Sequence, residues 1–171
     1  VISPCSSQRA RNFRNWSAEN YAAVADHFSA RWNGRVILTG GPTELEREYG
    51  AAIAQHATCA PIDLIGKTSL KELLALLERA SVVVCPDSGP AHMATAVGTP
   101  VVGLYATSNP DRTGPYNSRE FVVNRYPEAV RAEFDKTVEE ILWGARVRNP
   151  EAMLLIELDE VTAAVDRVMK G

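Results

Sequence analysis

At 171 residues, 46% of them hydrophobic, the chain is long enough for one well-buried domain and short for two. Its formal charge of −3 is too small, and of the wrong sign, for a nucleic-acid binder; no apolar run approaches the roughly 18 to 20 residues of a membrane span, and no signal peptide is visible. Three cysteines, Cys5, Cys59 and Cys85, are scattered without metal-ligand spacing, which predicts free thiols in a reducing, cytoplasmic compartment.

Residues 1–4 read as a first strand that the chain enters at once, and this abrupt start predicts a piece of a longer protein. A polar, basic loop follows, with Arg9, Arg11 and Arg14 and no acid before Trp16. Ser17 caps a helix in which Tyr21, Val24, Ala25 and Phe28 recur at helical spacing to about Trp32, and Asn33-Gly34 ends it. Residues 35–39 are the second strand. The Gly40-Gly41-Pro42-Thr43 loop opens a helix over 44–56, and the third strand is 62–65. Ser69 caps a helix whose inward stripe is Leu70, Leu73, Leu74 and Leu77. Residues 82–85 are short, β-branched and without alternation, as befits a strand buried on both faces. The Asp87-Ser88-Gly89 turn then starts a helix over 90–97, with Pro90 suited to the first helical position and Gly98 to the end. Strands at 101–105 and 120–124 follow, then helices over 137–145 and 158–170 separated by an irregular piece through Asn149-Pro150. Nine of the 21 acids lie between Glu128 and Glu160, a solvated helical face.

Six short strands alternating with helices predict an α/β fold, a Rossmann-like doubly wound parallel six-stranded sheet in the order 3-2-1-4-5-6. The switch point then falls between strands one and four. The basic loop and the Asp87-Ser88-Gly89 turn leave those two strands, so both meet over one crevice. A helix opening there aims free N–H groups and the positive dipole end at one point, which suits a phosphate.

Each candidate also has a plain structural reading. Asp87-Ser88-Gly89 is otherwise a simple capped turn. As a site, Ser88 and Gly89 offer amides to a phosphate, and Asp87 accepts from sugar hydroxyls. His92 lies one turn into the helix, within reach of the same anion; His27 and His56 are structural. Arg14, with Ser7 and Arg11 from the same loop, is placed for a pyrophosphate, since a guanidinium fork matches phosphate geometry. Thr39-Gly40-Gly41-Pro42 lacks the P-loop lysine and the third glycine of a dinucleotide fingerprint. After it, Glu44 or Thr43 faces a ribose, on position alone. No nucleophile elbow, zinc pattern or paired-carboxylate signature is present, and no metal or other cofactor is called for.

The stretch PDSGPAHMATAVGTPVVGLYATSNPDRTGPY resembles the signature of the ADP-heptose:lipopolysaccharide heptosyltransferases, glycosyltransferase family nine, at Asp87, Ser88, Gly89, His92, Ala94, Gly98, Pro100, Thr107, Asn109-Pro110, Arg112, Gly114, Pro115 and Tyr116. The resemblance covers nearly the whole chain but only the C-terminal half of the family. It implies the two-domain GT-B architecture, of which this half binds the nucleotide-sugar donor, ADP-heptose, while an N-terminal domain brings the lipopolysaccharide core acceptor and the catalytic base. The full protein would then be an inverting transferase in the cytoplasm, in peripheral contact with the inner membrane. The resemblance also implies that Asp87 contacts the sugar, that Ser88 and Gly89 hold the diphosphate, that His92 lies beside it, and that a basic residue, usually Lys in the family, stands at Arg14. The acidic stretch from Glu128 to Trp143 matches no family pattern. Two alternatives stay open, a nucleotide-sugar 2-epimerase-like GT-B domain and a non-catalytic nucleoside-diphosphate-binding module.

Overall fold

The computed structural model describes residues 1–6 and 13–171. Among these residues five strands form, β1 (Ile37–Leu38), β2 (Ile62–Asp63), β3 (Val83–Pro86), β4 (Val101–Tyr105) and β5 (Val123–Asn124). They make a pair, β1-β2, and a triplet, β3-β4-β5, and every pairing is parallel. Residues 1–4, expected as a strand, contribute a single bridging residue: Ile2 pairs with Leu38 on one side and Val84 on the other. Its amide donates to Ile37 O, its carbonyl accepts from Thr39, and the Ser3 amide reaches Val84 O. The ladder stops there because Pro4 has no N–H to continue it. The expected six-stranded sheet is therefore two sheets, of two and three strands, meeting at Ile2.

The helices are α1 (Ala18–Trp32), α2 (Glu44–His56), α3 (Leu70–Glu78), α4 (Gly89–Ala96), α5 (Pro110–Thr113), α6 (Tyr126–Phe134) and α7 (Leu158–Lys170). Alternation along the strands feeds two apolar layers. Val83, Cys85 and Val101 face Leu77, Ala91 and Ala94 of α3 and α4, whereas Val82, Val84, Val102 and Leu104 face α1, α6 and α7 through Tyr21, Val24, Tyr126, Val161 and Val165. Each of the large side chains buried this way contributes about 1.5–3 kcal/mol, so helices on both faces hold the short strands in place. Trp16 is clamped into the larger layer, its indole donating to Ile156 O at 3.1 Å while Tyr21 packs edge-on against it.

Three expectations change. In α3 only Leu77 is fully buried and Leu73 partly packed; Leu70 is 76% exposed and Leu74 also exposed, so the predicted stripe is half outward. Instead of a helix over 137–145 there is a 3-10 turn, Val138–Glu140, and α6 lies earlier, where Tyr126, Ala129 and Val130 repeat at helical spacing. The helix stops at Asp135, which is left-handed, and the following Leu142 and Trp143 are exposed. Residues 120–124 are strand only at β5, because a 3-10 helix, Tyr116–Phe121, occupies the start. Cys5, Cys59 and Cys85 are free thiols, and no helix among the described residues is long and apolar enough to cross a membrane.

Candidate functional site

The strands deliver three turns to one edge. After β1, Gly40 and Gly41 enter α2; after β2, Gly66, with a positive φ, ties its amide to Gly40 O at 2.9 Å; after β3, Asp87 and Ser88 enter α4. Between them lies a cleft of about 560 Å³ lined by Ser3 and Cys5, Gly40 and Gly41, Glu46, Ser69, Leu70, Ser88 and Gly89. Its size suits a small molecule of nucleotide class.

Ser88 stands at the N-cap of α4 in extended conformation, yet its side chain does not cap the helix. Its Oγ is buried without a hydrogen-bond partner. The Cys85 thiol lies near enough to feel that hydroxyl, but burial dominates and pushes the thiol up to about 12. Among the described residues the Ser88 and Gly89 amides donate to no backbone carbonyl, and a Cβ built on Gly89 would meet nothing within 4 Å. Two free amides, a poorly satisfied hydroxyl and open space thus coincide at the start of an eight-residue helix, an arrangement suited to an anion.

Asp87 is 5% exposed and faces two arginines. Arg14 Nη1 donates to Asp87 O at 2.6 Å and lies 3.5 Å from Oδ2. Arg146 Nη1 lies 3.7 Å from the same oxygen. Arg14 and Asp87, 73 residues apart, therefore meet beside the Ser88 turn, although neither is among the residues lining the cleft. Ser7 and Arg11, with Arg9, fall outside the described residues.

The remaining candidates are less central. His92 is exposed on α4 and is not among the residues lining the cleft. Glu44 points outward with 77% of its side chain exposed, 3.9 Å from Arg47. Thr43 caps α2. The acid in the cleft is Glu46, which is buried, accepts from Thr43 Oγ1 at 2.8 Å, and folds back over the glycine loop. A Cβ at Gly41 would come within 2.8 Å of Glu46 Oε2, so the carboxylate lies directly over the loop backbone. Sequence reasoning passed over Glu46, although Thr43-x-x-Glu46 has the spacing of a capping box, which bends a glutamate back over the helix start. Glu46 and burial together act on Cys5 across the cleft, burial first, and push its thiol up to about 12. Arg146 had no local signal. Among the described residues no group of three or more His, Cys, Asp and Glu is arranged to hold a metal ion.

The pattern of glycosyltransferase family 9 (heptosyltransferase) matches residues 1–143. The chain is 39% identical to the lipopolysaccharide core heptosyltransferase OpsX of Haemophilus influenzae, over 98% of this chain and 47% of that protein. It is 30% identical to lipopolysaccharide heptosyltransferase 3 of Escherichia coli, over 99% of this chain and 46% of that protein. A solved family 9 glycosyl transferase from Veillonella parvula superposes with a TM-score of 0.75 at 25% identity, covering 99% of this chain and 45% of that one. The chain thus spans about half the length of the curated relatives it matches. With the family pattern running through every element that builds the cleft, the chain belongs to glycosyltransferase family 9, the heptosyltransferases.

Proposed function

We propose that this chain is the donor-binding half of an inverting glycosyltransferase that moves heptose from ADP-heptose to the lipopolysaccharide inner core. The observation that carries the reading is the Ser88-Gly89 turn, whose free amides and poorly satisfied buried hydroxyl lie at the cleft, next in the chain to Asp87 and its partner Arg14. The donor's diphosphate lies over that turn, and its ribose lies toward the glycine loop, where Glu46, rather than Glu44, accepts from the sugar hydroxyls. Asp87 and His92 stand on the transferred-sugar side. The acceptor, brought by a domain outside this chain, attacks the anomeric carbon through a hydroxyl oxygen. A new C–O bond forms as the bond to the diphosphate breaks; the electron pair leaves on the phosphate oxygen, and the hydroxyl proton passes to a base of that other domain. The work of this half is to stabilise the charge that accumulates on the departing diphosphate, using fixed N–H dipoles and a guanidinium. Such an enzyme works in the cytoplasm, at the inner face of the inner membrane where its acceptor resides.

Calorimetric titration with ADP, UDP and GDP tests the site. ADP is expected to bind and the other two to bind more weakly. Heat from none of the three would remove the donor site and leave a structural role for the cleft.

A further inference from the structure

We infer that Arg146 is a second phosphate-binding cation of this site, engaging the donor phosphate farthest from the nucleoside. This rests on the donor-site reading above but concerns a residue beyond the 1–143 stretch that carries the family pattern. The backbone around Arg146 is pinned from several directions. Ser108 and Arg146 form an antiparallel bridge, Val147 N donates to Thr107 O at 3.1 Å, Tyr126 Oη donates to Ala145 O at 2.8 Å, and Arg148 N reaches Glu133 Oε2 at 2.8 Å. The guanidinium itself is not tied down in the same way. It is 32% exposed, and its one ionic neighbour among the described residues, Asp87 Oδ2 at 3.7 Å, lies beyond hydrogen-bond distance.

Charge makes the same point. The Asp87 carboxylate is already met by Arg14, so Arg146 leaves a surplus positive charge at Asp87, the residue before Ser88 in the chain, although neither Asp87 nor either arginine is among the residues lining the cleft. The position of that surplus sets the register of the ligand. The cleft runs from Glu46 and Ser69 to Ser88 and Gly89, and Asp87 with its two arginines sits immediately before Ser88 in the chain. A nucleoside seated toward Glu46 with its first phosphate on the α4 amides would turn its second phosphate toward Arg146. A planar fork of five donors is suited to that group.

The test is titration of wild type, Arg146→Ala and Arg146→Lys with ADP and with AMP. Wild type is expected to prefer ADP. Arg146→Ala is expected to lose about tenfold in ADP affinity, the low end for a charge-assisted bond because the guanidinium is part-exposed, with AMP affinity nearly unchanged. Arg146→Lys, which keeps the charge and loses the fork, is expected to fall between; it also serves if the alanine variant does not fold. An ADP-to-AMP affinity ratio in either folded variant equal to that of wild type would overturn the role of Arg146 while leaving the donor site intact. A wild type that binds no ADP would instead overturn the donor site, and this role with it.

Discussion

Ser88 shows how a site is stored in one side chain. Its hydroxyl is buried, caps nothing and has the Cys85 thiol, a weak hydrogen-bonding group, beside it, so the fold carries a poorly satisfied group that costs stability. A diphosphate oxygen would satisfy it. Ser88→Ala is therefore expected to leave stability unchanged or to raise it by up to about 1 kcal/mol in urea unfolding, while weakening ADP binding by about 1.5 kcal/mol or more in calorimetry. Loss of stability with full ADP affinity would assign the hydroxyl to the fold instead. The acids after the glycine loop show what sequence leaves open at this scale. Thr43, Glu44 and Glu46 are all within four residues, and spacing alone allows any of them to face a ligand. The backbone chooses: Thr43 becomes the cap, the first helical residue Glu44 is thrown outward, and Glu46, two residues later, returns across Gly41.

At the scale of elements, α1 and α7 are joined by a shared carboxylate. Asp166 on α7 receives hydrogen bonds from His27 Nε2 and Trp32 Nε1, each at 2.9 Å, and Arg31 Nε lies 2.9 Å from its other oxygen. Burial acts to raise the acid's pKa, but the His27 and Trp32 bonds and the charges of His27 and Arg31 outweigh it and lower the pKa below the ordinary 3.8. A depressed folded-state pKa means that the unfolded chain takes up the proton first. The stabilisation is present above the unfolded value and is lost as pH falls through the folded one. Asp166→Ala is expected to cost about 1–3 kcal/mol at pH 7. In urea unfolding followed from pH 7 to pH 2, the gap to wild type should begin to narrow near pH 3.8 and keep narrowing as the pH falls further; a gap that stayed constant would place the stabilisation elsewhere. Caps and periodicity made most of these elements legible in sequence: Ser17 and Ser69 each accept from the amide three residues on. Where the reading failed, periodicity lacked a partner surface. Leu70 has helical spacing with Leu73 and Leu77, but it stands at the cleft rather than over the sheet. Residues 137–145 have acids and apolar residues, but only Val138 and Ile141 reach the core and both are just partly buried, so Leu142 is left outside and the chain turns instead.

The whole molecule depends on one residue at its seam. Strand order was readable because the alternation of strand and helix permits few doubly wound arrangements, and the observed sequence across the molecule, β2, β1, Ile2, β3, β4, β5, places the first segment between the two halves. What could not be read was how little chain makes that join, since Val1, Ile2 and Ser3 look like a strand until Pro4 is considered. Ile2 plugs the larger core layer while Val1 packs against the smaller, so the seam is held by side chains on both faces as well as by backbone bonds. Ile2→Ala removes buried volume at that point and is expected to cost about 2–4 kcal/mol in urea unfolding. A more specific outcome is expected from amide exchange. The Ser3, Thr39 and Val84 amides, which donate across the seam, should speed up more than those within β4, because the two sheets can part there before the triplet itself opens. Equal acceleration everywhere would mean that the sheets open only as one unit. Because the glycine loop lies on one side of the seam and the Ser88 turn on the other, a ligand seated between them bridges both sheets, and saturating ADP should slow exchange at Thr39 and Val84 even in the Ile2 variant.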